Sequence, residues 1–114
     1  MVDPSDTDAA VRPSKPQGVI DRAAGMLRAG GDPARMRILE FLLDREHQVS
    51  EIAERMDAEM STTSQRLKIL LSEDLVVRRR EGREAYYRLA DCHVETLIRN
   101  VLDHADPDVK ILIP

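Results

Sequence analysis

The stretch VSEIAERMDAEMSTTSQRLKILL, Val49 to Leu71, decides how this chain folds. Ile52, Ala53 and Met56 recur at helical spacing behind Ser50, which predicts a short helix capped by that serine. Asp57-Ala58-Glu59-Met60 breaks the pattern as a turn. A second helix then opens at Ser61 or Thr62, the latter forming a Thr-x-x-Gln capping box with Gln65. Its inner face is Thr63, Leu67, Leu70 and Leu71. Two short helices joined by a four-residue turn make a helix–turn–helix.

The period changes immediately downstream. Leu75–Arg80 and Arg83–Leu89 read as two strands joined at Glu81-Gly82, a hairpin set directly after the second helix. Upstream, Asp32-Pro33 opens a helix with Met36, Ile38, Leu39, Leu42 and Leu43 on its apolar stripe. Before it, Val19, Ile20, Ala23, Ala24, Met26 and Leu27 give a short amphipathic helix ended by Gly30-Gly31. Asp91 caps a final helix that Pro107 ends. The expected fold is mainly α with a β-hairpin wing, a winged helix–turn–helix over residues 18–106. A disordered, proline-containing arm of residues 1–17 precedes it, and a tail of residues 107–114 follows, in which Ile111-Leu112-Ile113 is apolar.

The 114 residues are 42% hydrophobic and 33% charged, which fits one globular domain. Phe41, Tyr86 and Tyr87 are the only aromatics, so the core is expected to be aliphatic. No apolar run reaches a membrane span and the first residues lack the apolar block of a signal peptide. A single cysteine, Cys92, allows no internal disulfide, so a cytoplasmic setting is expected. No nucleophile motif or pocket-forming loop points to an enzyme.

The net charge of −4 argues against a nucleic-acid partner until its distribution is read. Residues 61–90 hold seven bases and four acids, a net of +3, which leaves −7 for the rest. In a winged helix–turn–helix the second helix enters the DNA major groove by its N-terminal residues. Ser61, Thr62, Gln65, Arg66 and Lys68 lie off its leucine face. Gln65 suits an adenine edge and Arg66 a guanine edge. Arg78, Arg79, Arg80 and Arg83 of the hairpin suit phosphates or the minor groove.

The last helix carries His93 and His104, eleven residues apart. At 100° per residue they share a face, about 16 Å apart along the axis. One ion cannot take both from one helix, because zinc holds nitrogen at about 2 Å. An antiparallel second copy would set His93 of one chain beside His104 of the other.

GDPARMRILEFLL (31–43), VSEIAERM (49–56), STTSQRLKILLSEDLV (61–76), RRREGREAYYRL (78–89) and DCHVETLIRNVLDHAD (91–106), in this order, resemble the ArsR/SmtB family of metal-responsive winged-helix repressors. The resemblance implies a homodimer paired through its first and last helices. It further implies binding to an inverted-repeat double-stranded operator and release when metal binds. It puts Ser64 and Gln65 on the family's Ser-His pair in the recognition helix, with Gln for His as a departure. The family's cysteine-based site on the first helix of the helix–turn–helix is absent, because Gln48 stands where the usual Cys would be; His47 beside it is expected in a surface loop. The last-helix site matches at Asp91, His93 and His104. Its fourth position is Pro107, which leaves Asp106, Asp108 or a water to complete the set. Nitrogen and carboxylate donors favour zinc, with nickel or cobalt as alternatives. Cys92 lies one position off the histidine face and is expected to pack; thiol chemistry there is the rival effector.

Overall fold

The computed structural model describes residues 13–109, so most of the arm and the apolar tail 111–113 lie outside the described residues. Residues 13–16 form no helix or strand. The elements then follow as α1 (Gln17–Gly30), α2 (Pro33–Phe41), β1 (His47–Gln48), α3 (Val49–Met56), α4 (Met60–Ser72), β2 (Val76–Glu81), β3 (Glu84–Leu89) and α5 (Cys92–Ala105). This is the expected winged helix–turn–helix with one further short strand. No described helix is long and apolar enough to cross a membrane.

Local chemistry accounts for most boundaries. Asp32 caps α2 by accepting from the Arg35 N–H at 3.1 Å, and Pro33 fills the first helical position. The same Arg35 sends its Nε to the Ala29 carbonyl at 2.6 Å, satisfying an otherwise unpaired acceptor at the end of α1. Both helices of the helix–turn–helix end in an aspartate held at positive φ, Asp57 at 52° and Asp74 at 60°. Each closes a Schellman-type pair of bonds. The Ala58 and Asp57 N–H groups reach the Ala53 and Glu54 carbonyls; those of Leu75 and Asp74 reach Leu70 and Leu71. Aspartate is one of the few residues besides glycine that visits this region routinely.

Two caps differ from the sequence reading. Ser50 lies inside α3, whose cap is Gln48; the Gln48 N–H donates to the Glu51 carboxylate at 2.9 Å. The α4 helix opens a residue or two earlier than expected, at Met60. Glu59 is its cap residue, and the Thr63 N–H bonds the Glu59 carbonyl at 3.0 Å. Thr62 is therefore within the first turn, too late to cap.

The sheet order is β1-β3-β2, antiparallel throughout. Glu81 pairs with Glu84 across the turn Gly82-Arg83, where Gly82 sits at φ 62°, a conformation that glycine adopts without cost. His47 corrects another expectation. It pairs with Tyr87 in β1 and is buried, its ring stacked on Phe41 with centroids 4.0 Å apart. Its Nε2 lies 3.0 Å from Asp44 Oδ1, and the interaction lowers the Asp44 carboxyl below the usual carboxylate range. A two-residue strand is too short to produce a period, so only the tertiary fold reveals it.

Ile38, Leu39, Ile52, Leu67, Leu70, Leu75 and Val76 are fully buried, so the aliphatic core joins α2, the helix–turn–helix and the root of the wing. Val94 and Ile98 bring α5 onto the same cluster. The recognition helix thus stands on the rigid centre of the domain.

Candidate nucleic-acid interface and metal centre

Burial on α4 alternates with the helical repeat. Thr63, Leu67 and Leu70 face inward, while Ser61, Ser64, Gln65 and Lys68 are exposed and Thr62 and Arg66 are half-buried. The exposed row Met60, Ser64, Lys68 borders an open groove of about 690 Å³ between α4 and the wing. Arg78, Arg80 and Arg83 line its other side, with Glu84 as the single acid in the lining, so the groove is strongly basic. The strand register explains the choice of arginines. Arg78 and Arg80 pair with Tyr87 and Ala85, and all four share the groove face.

Arg79 alternates to the opposite face. Its Nη2 and Nε reach the two Glu46 carboxylate oxygens at 2.6 and 3.3 Å, and its Nη1 reaches Glu81 at 2.6 Å. The guanidinium also covers the Tyr86 ring, 4.4 Å from its centroid. The hydrogen bond from Arg79 holds the Glu46 carboxyl below its ordinary range, and Glu46 followed by Glu81 raises the arginine further. The candidate set from sequence therefore divides: Ser64, Lys68, Arg80 and Arg83 border the groove, whereas Ser61, Thr62, Gln65, Arg66 and Arg79 do not. Met60 and Ser50 line the groove as well. Met60 escaped the sequence reading because the start of α4 was placed after it.

The metal candidates gather on α5 and just beyond it. Asp91 caps the helix by accepting from the His93 and Val94 N–H groups at 2.9 and 3.1 Å. The Val94 bond is the larger cause of its lowered carboxyl pKa, with His93 adding to it. Both bonds fall on Oδ1, which leaves Oδ2 for another partner. His93, His104 and Asp108 are exposed. Of the alternative ligands, Asp106 accepts the Asp108 N–H through Oδ1 at 2.9 Å. Among the described residues no three His, Cys, Asp or Glu side chains of this one chain converge as a metal site. These donors are chemically suited to zinc, but the described residues of one chain do not bring enough of them together to hold an ion. Cys92 is exposed at the first position of α5 rather than packed.

Between these donors α5 carries exposed Leu97 and Val101, and α1 carries exposed Ile20 and Leu27. Leu27, Leu97 and Val101 line one apolar cleft of about 180 Å³ with Met26, Met36, Leu75 and Ile98. The first and last helices thus present a shared apolar face.

Comparison with known proteins agrees with this architecture. Residues 32–77 match the family model of bacterial regulatory proteins of the arsR family. The chain is 43% identical over 81 residues to a transcriptional repressor SmtB homologue from Synechocystis, covering 71% of this chain and 61% of that protein. It is 34% identical over 93 residues to the repressor SmtB of Mycobacterium tuberculosis, covering 82% and 69%. The chain therefore spans about three fifths of the first relative and about two thirds of the second. The homodimeric winged helix-turn-helix DNA-binding domain Mb0332 from Mycobacterium bovis superposes with a TM-score of 0.78 at 30% identity, covering 90% of this chain and 95% of that one. These relatives are regulators rather than enzymes, and the chain belongs to the ArsR family of bacterial transcriptional regulators.

Proposed function

We propose that this protein is a cytoplasmic, metal-sensing transcriptional repressor. It binds an inverted-repeat operator as a homodimer and leaves it when a divalent metal, zinc first, is bound between the paired C-terminal helices. The observation that carries the reading is the layout of α5: donors at both ends and exposed Leu97 and Val101 between them. An antiparallel pairing of that helix with its copy covers the apolar face and brings Asp91 and His93 of one chain toward His104 and Asp108 of the other.

On DNA, the N-terminal half of α4 reads bases. Gln65 and Arg66 supply the bidentate contacts to adenine and guanine, and Ser61, Thr62 and Ser64 hold phosphates or base edges. Lys68, Arg80 and Arg83 neutralise phosphates from the basic groove. Bound zinc would supply a crosslink between the two α5 helices. Release follows only if the metal-bound arrangement differs from the DNA-bound one, with coupling of typically 1–3 kcal/mol.

His93→Ala and His104→Ala are expected to leave operator binding intact and to abolish release by zinc, read by fluorescence anisotropy. Normal release from either variant would overturn the assignment. The exposed Cys92 thiol supports a second reading, an effector acting at sulfur. Under that reading Cys92→Ser, and neither histidine variant, would lose the response.

A further inference from the structure

We propose that Arg79 is a positioning residue that sets the angle of the wing and makes no phosphate contact itself; this rests on the DNA-binding reading above. Sequence alone groups it with the other hairpin arginines. Its surroundings separate it from them.

Three features converge on the guanidinium. Glu46, in the segment before β1, takes it by a two-oxygen fork, and Glu81 takes its remaining nitrogen from the tip of the same strand. Tyr86 lies under its plane. The Tyr86 hydroxyl in turn accepts from Gln48 Nε2 at 2.8 Å, and Gln48 is the cap residue of α3. One arginine therefore links the wing to the segment that opens the helix–turn–helix. A two-nitrogen fork onto a carboxylate is arginine's particular ability, and its planar guanidinium lies flat on an aromatic ring; a lysine would keep the charge and lose the fork.

Charge argues in the same direction. Glu46 and Glu81 together more than neutralise Arg79, so its guanidinium offers no free charge to a phosphate. Arg78 and Arg80 leave by the opposite face into the groove beside Lys68. Freeing the clamp leaves the hairpin attached through its strands but lets its outer half move, which misaims Arg80 and Arg83.

The test uses the full-length protein and a duplex selected by it from a random DNA library. Affinity is measured across a salt series for wild type, R79Q, R79K, E46Q and R80Q. Each phosphate contact contributes about 0.9 to the slope of log affinity against log salt. R80Q is expected to flatten the slope by about 1.8 per dimer. R79Q, R79K and E46Q should each keep the wild-type slope and weaken binding about fivefold, the scale of an exposed but well-formed ion pair. Thermal midpoints should fall by no more than a few degrees, while backbone order parameters of the free protein fall at residues 79–86 only. A wild-type affinity for R79K, a flattened slope for R79Q, or tighter binding by E46Q would overturn the proposal. Failure to select any duplex would sink the DNA-binding reading instead, and the order parameters would still decide the clamp: unchanged values at 79–86 in R79Q refute it.

Discussion

Leu27→Glu tests the dimer on which the operator and metal readings both depend. Leu27 is 61% exposed in the single chain and borders the apolar cleft shared by α1 and α5. Burying a leucine completely is worth about 1.5–3 kcal/mol, so covering the exposed fraction gives roughly 1–2 kcal/mol per protomer. A two-fold interface uses each residue twice, which doubles the figure to about 2–4 kcal/mol per dimer. Losing that alone raises the dimer dissociation constant roughly 30- to 1,000-fold. The carboxylate placed in an apolar contact adds to the loss. Sedimentation velocity over a concentration series reads the constant directly, and circular dichroism checks that the monomer remains folded. Operator affinity should fall with it, because a monomer contacts one half-site. A variant that dimerises as tightly as wild type would refute the placement of the interface on α1 and α5.

Further outcomes follow from the same structure. Leu67→Ala removes a fully buried side chain from the inner face of the recognition helix and should cost about 2–5 kcal/mol, read by urea unfolding. Asp74→Gly relieves a left-handed backbone at the end of α4 and should stabilise by up to about 1 kcal/mol; destabilisation would show that the aspartate makes a compensating contact. The Asp91 carboxyl lies below its ordinary value because the Val94 and His93 N–H groups favour the charged form. Its stabilising effect is therefore complete above the ordinary value of 3.8 and is lost as pH falls through the lowered value. Asp91→Asn keeps a cap that does not titrate, so its stability should fall less steeply below pH 3.8 in acid-unfolding curves.

The elements that sequence revealed are those whose signals are local. Asp32-Pro33 and Asp91 are helix starts that need no tertiary partner, and the leucines of α4 repeat often enough to mark their own inner face. What depended on distant residues was not legible. His47 reads as a loop residue until Phe41 stacks on it and Tyr87 pairs with it. Gln48 displaces Ser50 as the cap because Glu51 returns to its N–H. The spacing from Gln48 to Glu51 fits a capping box, but serine is the more usual cap residue and drew the reading away from it. Arg79 is indistinguishable from its neighbours in RRRE, and only the period of two in β2, together with Glu46 thirty-three residues away, separates it. Cys92, expected to pack, is exposed in the single chain. The candidate metal donors were readable as a spacing; among the described residues of one chain they do not converge, and the proposed site rests on pairing with a second copy.

Zinc stoichiometry of the purified apo-protein, by competition with a coloured chelator, tests the central claim most directly. The account predicts two tightly bound ions per dimer in wild type, and their loss in both His93→Ala and His104→Ala. Weak binding, or two tight ions retained in either variant, would contradict a metal site built by pairing the C-terminal helices.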